Sequence, residues 1–260
     1  MKAAPITPRV LPWRSPPGIL VLGDDEVHVW RAMLDQTPSQ IQRLLHNLAA
    51  DEHVRAEQFY FERDRQHFIA ARGVLRAILG GYLHRTPESL SFYYSSHGKP
   101  GLAGETDDDA IRFNVSHSHG VALFAVTRGR EVGIDIEHIR FDLEVVEIAE
   151  QFFSPREVAT LRALPIEAQR QAFFRCWTRK EAYIKARGEG LSLPLDQFDV
   201  SLAPGEPVAV LRAQRDPSEA SRWSLQELTP APGYAATLTV EGHGWHLTRW
   251  QWPDPRQPSA

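Results

Sequence analysis

The chain has 260 residues, enough for one large domain or two of ordinary size, and its 42% hydrophobic content suffices for a packed core. The net charge of −4 argues against a general nucleic-acid binder, and no apolar run approaches the ~18–20 residues that span a bilayer. The single cysteine, Cys176, excludes an internal disulfide and is expected to be a small core residue; with no secretory signal at the start, a cytoplasmic protein is predicted.

The first part of the chain predicts an extended segment, a strand and two helices. Residues 1–20 are rich in proline and lack periodicity, which indicates an extended lead-in, and residues 21–31 have strand character. Pro38 opens a short helix. A longer helix follows, with Asp64 as its predicted N-cap and an apolar stripe that reaches Tyr82. Such a stripe is typical of a core helix.

Residues 90–115 are predicted to contain two strands, 90–94 and 111–115. Gly98-Lys99-Pro100 is predicted to form a turn after the first of them. The acidic run at residues 107–109 predicts an exposed loop. A metal site in that loop is a less favoured alternative, because three adjacent carboxylates are usually solvated.

Two apolar segments, 121–126 and 132–137, flank a loop that contains Gly129, and this pattern predicts a β-hairpin. Successive residues of a strand point to opposite faces of a sheet. Asp135 and Glu137 therefore share one face, with isoleucines on the other. A sheet would hold these two carboxylates in fixed positions.

The second part of the chain contains two clear helix signals. Ser154 and Glu157 form a capping box with proline between them, and a further helix at 167–187 is predicted to stop at Gly188. Strand-like segments follow at 198–202, 208–211, 223–227 and 234–240. Helices and strands occur in blocks without strict alternation, which favours an α+β fold. The tryptophan-rich end contains no readable motif (Trp245, Trp250, Trp252).

The helix at 167–187 carries a candidate site. Trp177, Glu181 and Lys185 are four residues apart and share one face. An exposed Glu–Lys pair is usually a solvated helix face. Together with Asp135 and Glu137, however, Glu181 makes three carboxylates, a set of oxygen ligands suited to Mg²⁺ that holds a substrate phosphate. Lys185 beside them would meet the negative charge of that phosphate.

These residues resemble the signature of the Sfp-type 4′-phosphopantetheinyl transferases. The chain has Gly-Ile-Asp-x-Glu at 133–137 and Trp-x-x-Lys-Glu-x-x-x-Lys at 177–185. Gly98-Lys99-Pro100 and Phe113-Asn114-Val115-Ser116-His117-Ser118 are similar to two further blocks of that family, in the same order. Segments 152–157 and 188–191 are similar to family segments as well, so the match runs from about Arg55 to about Val200.

The resemblance implies two similar α+β halves, related by a pseudo-twofold axis, with the active site in the cleft between them. The N-terminal half would be 21–125, and 126–260 would be the C-terminal half that carries the metal site. The implied reaction moves the 4′-phosphopantetheine arm of coenzyme A to a serine of an apo acyl or peptidyl carrier protein. It requires Mg²⁺ and releases adenosine 3′,5′-bisphosphate. A monomer is expected, because each chain carries both halves of the site.

The resemblance also implies the role of each site residue. Asp135, Glu137 and Glu181 would hold Mg²⁺, with Glu137 binding directly or through water and Glu181 also acting as base. Lys185 and His117 would stabilise the phosphates. The other predicted coenzyme A contacts are Arg55, Tyr94, Ser95, Ser96, Lys99, Asn114 and Ser116. Among them Lys99 would meet the 3′-phosphate, and Asp135 and Lys185 would also face the pyrophosphate.

Two other classes of protein remain as alternatives. One is a binding or regulatory protein that keeps the nucleotide pocket without transfer, but all three carboxylates and Lys185 are present. The other is a different Mg²⁺-dependent phosphotransferase, but the chain has no phosphate-binding loop motif or kinase motif set. One departure from the family concerns Glu52, three residues before Arg55, where some relatives carry a second basic residue.

Overall fold

The computed structural model describes residues 12–104, 109–213, 216 and 218–253. Two predictions fall partly outside these residues. The lead-in at 1–20 is described from residue 12, and the acidic run at 107–109 is described only at Asp109, which is exposed. Over the described ranges, no helix is both long enough and apolar enough to cross a bilayer.

The first part of the chain contains five strands and three α-helices in the described residues. They are β1 (Glu26–Met33), α1 (Pro38–Leu45), α2 (Ala50–Glu57), α3 (Glu62–Leu83), β2 (Phe92–Tyr94), β3 (Pro100–Leu102), β4 (Ile111–Ser118) and β5 (Val121–Arg128). The prediction of Asp64 as an N-cap is wrong, because α3 begins at Glu62 and Asp64 lies in its first turn. Helix α2 was not predicted from the sequence.

The second part contains six strands and four α-helices in the described residues. They are β6 (Val132–His138), α4 (Val145–Phe152), α5 (Pro155–Ala163), α6 (Ile166–Arg187), β7 (Phe198–Val200), β8 (Val210–Ala213), α7 (Glu219–Arg222), β9 (Trp223–Leu228), β10 (Tyr234–Glu241) and β11 (His246–Gln251). The predicted capping box begins α5, where the Ser154 hydroxyl accepts the Glu157 N–H at 3.3 Å. Helix α6 ends, as predicted, at Gly188, whose φ is 71°.

The two parts repeat one order of elements, which confirms the predicted α+β fold of two similar halves. Each runs through a strand, a series of helices that ends in one of 22 residues, a two-stranded ribbon and two further strands. The sheets are also alike, because β1 pairs with β5 and β5 with β4, while β6 pairs with β10 and β10 with β9, all antiparallel. The long helices are α3 and α6.

Strands β5 and β6 do not form the predicted hairpin. Strand β5 lies between β1 and β4 in the first sheet, whereas β6 is an edge strand of the second sheet, paired with β10. The loop with Gly129 at φ 63° therefore carries the chain from one half into the other. The pattern of two apolar segments around a short loop describes both strands correctly but does not specify their partners.

The C-terminal strand returns to the first half. Strand β11 pairs in parallel with β1, in a register that places Trp250 opposite Trp30. The rings of Trp250 and Trp252 each lie 6.2 Å from that of Trp30, and both pack on the hydrophobic core of the first half, whereas Trp245 packs on a separate apolar cluster. Sheet membership thus does not follow the division at residue 125, which itself falls within β5.

Candidate active site

The two sheets meet along strands β4 and β6, through side chains instead of a backbone ladder. Alternate residues of β4 point towards β6, and their polar side chains bind its backbone. Asn114 Oδ1, Ser116 Oγ and Ser118 Oγ accept the N–H groups of residues 134, 136 and 138 at 2.9, 3.4 and 3.1 Å. This row of hydrogen bonds from β6 backbone N–H groups to β4 side chains, called here the β4–β6 seam, fixes β6 against the first half.

The two serines of the seam also orient the predicted metal ligands. Ser116 donates its proton to Asp135 Oδ1 at 2.9 Å, and Ser118 donates to Glu137 Oε2 at 3.0 Å. Each hydroxyl therefore binds the backbone of β6 and a carboxylate of the same strand. Ser118 was not predicted as a site residue, although its alternation with Ser116 was a usable signal.

Helix α6 supplies the other half of the site. Lys185 Nζ donates to Asp135 Oδ1 at 2.6 Å and to Ser116 Oγ at 3.0 Å. Glu181 lies one turn earlier on the same face and is half-buried. The helix can lie this close to β6 because Gly133 has no side chain to separate the two backbones. The structure thus brings the acids of β6 and the Glu–Lys face of α6 together.

The three carboxylates influence one another electrostatically. Burial raises the pKa of Glu181; the charge of Asp135 raises it further, while Lys185 opposes the shift. Burial likewise raises the pKa of Glu137, with Asp135 and Glu181 adding to the shift, and Ser118 and Lys185 opposing it. Negative charge is therefore concentrated at this point beyond what Lys185 neutralises.

The donor set fits a hard divalent cation. Asp135 is 3% exposed, and its Oδ2 has no hydrogen-bond partner in the part of the chain that the structure describes. In the same residues no group of three or more His, Cys, Asp or Glu side chains is arranged to hold a metal ion. The other carboxylate oxygen of Asp135, Oδ1, accepts a hydrogen bond from Lys185. An orphaned buried carboxylate oxygen among three mutually repelling acids is nevertheless suited to Mg²⁺.

A cleft of about 270 Å³ opens beside these residues, between the two halves. Four predicted site residues line it: Lys99, Asn114, Glu181 and Lys185. His97 lines it as well and was not predicted. The cleft therefore joins the Gly98-Lys99-Pro100 turn of the first half to the acid–base face of α6 in the second.

His117 lies on β4 between the two serines and points away from the seam. Loss of solvation lowers its pKa below the ordinary 6.5, and the nearby positive charges of Lys185 and His67 lower it further. The Nε2 atom of His67 in turn lies 2.7 Å from Asp35 Oδ1. A neutral His117 near neutral pH follows, with a ring N–H able to donate to an anion.

Lys99 bridges the two halves. Its Nζ donates to Glu131 Oε2 at 2.6 Å and to the carbonyl oxygen of Ala186 at 2.9 Å. Two of its three N–H donors are therefore engaged within the protein. Its contact with the 3′-phosphate stays a prediction.

The remaining predicted residues lie outside the 270 Å³ cleft. Ser95 accepts the N–H of Lys99 at 3.1 Å and so shapes the turn, while Ser96 bonds the ring of His97 at 3.1 Å. Tyr94 is exposed on β2 and Arg55 is exposed on α2. Ser95 and Ser96 therefore adjoin the turn that lines the cleft.

Two sequence models of one family match the chain, one in each half. The model described as 4′-phosphopantetheinyl transferase, N-terminal, matches residues 30–128, and that of the 4′-phosphopantetheinyl transferase superfamily matches residues 131–239. The matches cover the seam, the 270 Å³ cleft and the three carboxylates.

Curated relatives agree with these matches. The chain is 43% identical over 240 residues to the 4′-phosphopantetheinyl transferase HetI of Nostoc sp., covering 92% of this chain and 98% of HetI. It is 30% identical over 161 residues to Sfp of Bacillus subtilis, covering 62% of this chain and 69% of Sfp. The human L-aminoadipate-semialdehyde dehydrogenase-phosphopantetheinyl transferase is 29% identical over 205 residues, covering 73% and 66% respectively. The chain belongs to the 4′-phosphopantetheinyl transferase superfamily, in its two-domain Sfp-type form, and is a transferase, as predicted.

Proposed function

We propose that this transferase moves the 4′-phosphopantetheine arm of coenzyme A onto a serine of an apo acyl or peptidyl carrier protein and releases adenosine 3′,5′-bisphosphate. The observation that carries the proposal is the convergence of Asp135, Glu137, Glu181 and Lys185 where the halves meet. The reaction needs a bound pyrophosphate and a serine that loses its proton, and these groups serve both needs.

Asp135, Glu137 and Glu181 are the residues that would hold Mg²⁺. When bound there, Mg²⁺ would offset negative charge on the pyrophosphate and on the leaving phosphate. Ser116 and Ser118 keep two of these carboxylates oriented through their hydrogen bonds. Preorganised ligands reduce the cost of binding the ion.

Glu181 is proposed to take the proton of the carrier serine, directly or through water. Its raised pKa favours proton uptake, and a positioned general base typically contributes about 10²–10⁴-fold. Lys185 adds a fixed positive charge beside the reacting phosphate, and His117 adds a neutral N–H donor. Both stabilise charge that develops on the leaving group.

The other predicted contacts with coenzyme A are retained as proposals. Lys99 and Asn114 line the cleft, Ser95 shapes the turn that carries Lys99, and Arg55, Tyr94 and Ser96 are exposed. Asn114 and Ser116 also belong to the β4–β6 seam, so part of their effect would come through the position of β6. A monomeric, cytoplasmic enzyme with a boundary near residue 125 is likewise a proposal, as is a role in fatty acid, polyketide or nonribosomal peptide synthesis.

A second, apolar cleft of about 180 Å³ lies beside Glu137. Leu143, Ile148, Phe173 and Trp177 contribute its apolar walls. Because Glu137 lines it and Trp177 lies one helical turn from Glu181, this is where we propose that the carrier protein brings its serine. A buried apolar contact would orient that serine towards the base.

The decisive test mixes the protein with coenzyme A, Mg²⁺ and a panel of apo carrier proteins and records intact masses. We expect one phosphopantetheine to be added to at least one carrier, and adenosine 3′,5′-bisphosphate to appear in equal amount. A carrier whose acceptor serine is alanine is the control. No transfer to any acyl or peptidyl carrier, by a folded protein with Mg²⁺ present, would refute the proposal.

A further inference from the structure

The long helices α3 and α6 correspond residue by residue. Each has 22 residues and is followed by a residue in the left-handed conformation, His84 with φ 52° after α3 and Gly188 with φ 71° after α6. The N–H of this residue donates to a carbonyl oxygen one turn earlier, that of Gly80 in α3 and that of Ile184 in α6. Equal length and the same kind of ending give each residue of α6 a counterpart in α3.

Counterpart positions of the two helices line two different clefts. The residues of α6 and its cap that line the 270 Å³ cleft of the candidate active site are Glu181, Ile184, Lys185 and Gly188. Their counterparts in α3 and its cap line a separate cleft of about 700 Å³ and are Ala77, Gly80, Gly81 and His84. This second cleft, called here the α3 cleft, thus has the same place beside α3 that the active-site cleft has beside α6.

The α3 cleft lacks the Glu–Lys pair of its counterpart. Ala77 takes the position of Glu181, and Gly81 takes that of Lys185. Among the described residues that line the cleft, none is Asp, Glu or Lys. Apolar side chains contribute most of its walls, among them Ile19, Leu20, Trp30 and Trp252. Apolar walls without a carboxylate do not suit a metal ion with its phosphates, but they suit a ligand with an apolar body.

One positive charge is available at the mouth of the α3 cleft. Arg85 lines the cleft and is exposed. In the part of the chain that the structure describes, its guanidinium has no ion-pair or hydrogen-bond partner. Its full positive charge outweighs the partial negative charge, about half an elementary charge, at the C-terminal end of α3. An anionic group is therefore favoured at the mouth, next to walls that accept an apolar body.

We propose that the α3 cleft is a second ligand site, which binds an apolar carboxylate such as a medium-chain fatty acid, with the carboxylate at Arg85 and the chain along the apolar walls. The volume of about 700 Å³ lies within the range of about 300–1,000 Å³ that is typical of small-molecule sites. A cationic ligand would be repelled by Arg85, and a phosphorylated one would lose hydration against walls that offer few donors. The site is separate from the coenzyme A cleft and does not depend on the proposed reaction.

The test titrates the full-length protein with decanoate, below its micelle concentration, and with decanol, its uncharged analogue, in a calorimeter. We expect wild type to bind one decanoate per chain with saturation. Ala77→Phe should weaken the binding of both ligands about tenfold or more, because the larger side chain fills the cleft. Arg85→Gln should weaken decanoate about threefold to tenfold, since an exposed charge-assisted hydrogen bond is lost, and leave decanol unchanged. Arg156→Gln, at an exposed arginine of α5, is the matched control and should change neither affinity.

Thermal unfolding of each variant shows whether it is folded, and the exposed Arg85 provides a variant that leaves the core intact. Equal affinity of decanoate for wild type and Arg85→Gln, or for wild type and a folded Ala77→Phe, would place the ligand elsewhere and overturn the inference. The absence of saturable binding to wild type would overturn it as well, and is the result expected if another part of the chain or a second copy fills the cleft. An equal loss of decanol and decanoate affinity in Arg85→Gln would refute the assignment of the carboxylate.

Discussion

Replacing Gly133 by alanine tests how the active site is assembled. A Cβ at this position would lie 2.0 Å from the carbonyl oxygen of Ala182 and 2.3 Å from the backbone nitrogen of Ala186, where ordinary contact begins at 3.4 Å. Both atoms belong to the backbone of α6 and cannot rotate aside. Strand β6 and helix α6 must therefore separate by about 1.4 Å, the shortfall in the closer contact.

Two effects of different size follow from this separation. Overpacking of a tight contact costs about 1–3 kcal/mol of folding free energy. Because Asp135 lies two residues along β6 and Lys185 lies on α6, their 2.6 Å contact also opens. A misplacement of about 1 Å at a reacting centre costs about 10²-fold in rate. We therefore expect kcat to fall about a hundredfold in a protein that is still folded.

The assay measures single-turnover transfer by Gly133→Ala at a temperature where circular dichroism shows native structure. A separate temperature scan measures the midpoint of its thermal unfolding. Gly18→Ala is the matched control, because a Cβ at Gly18 meets nothing within 4 Å. A lowered midpoint of thermal unfolding with normal kcat would show that α6 can move away from β6 without disturbing the site. Wild-type values of both quantities would refute the whole argument from the close contact.

Three further variants test the site. Asp135→Ala should abolish transfer while preserving the fold, because Lys185 and the proposed Mg²⁺ site lose a shared carboxylate. Near-normal turnover by the folded variant at saturating Mg²⁺ would contradict this. His117→Ala should raise KM for coenzyme A more than it lowers kcat, and a purely kcat effect in steady-state assays would argue against phosphate binding. Glu181→Gln should lower kcat by about 10²–10⁴-fold without rescue by Mg²⁺, and full rescue would exclude the base role. The pKa of Glu181 is raised above its ordinary 4.5 in the folded state. As pH rises above 4.5, ionisation of Glu181 therefore lowers the free energy of unfolding. Metal-free Glu181→Gln should then unfold at a higher temperature than wild type at pH 7, with the difference vanishing towards pH 4. Equal midpoints of thermal unfolding at pH 7 would count against the raised pKa of Glu181.

Local patterns in the sequence predicted where several side chains lie relative to one another within one helix or strand. The spacing of Glu181 and Lys185 placed both on one helix face, and alternation placed Asp135 and Glu137 on one side of a strand. Hydrogen-bonding chemistry located the start of α5 at its capping box. Each of these inferences depends only on residues within one turn or one strand.

The partners of each element were decided only in the tertiary structure. Apolar segments predicted β5 and β6 as strands, but they do not say which edge each will meet, and β11 was not predicted from the sequence. Strand β11 pairs with β1 across more than two hundred residues, and Arg31 Nε donates to Gln251 Oε1 at 2.7 Å. Glu52 is equally ambiguous, since a glutamate on a short helix is usually solvated. Only the folded chain brings two arginines of α3 to it, because burial of a charge depends on partners distant in sequence.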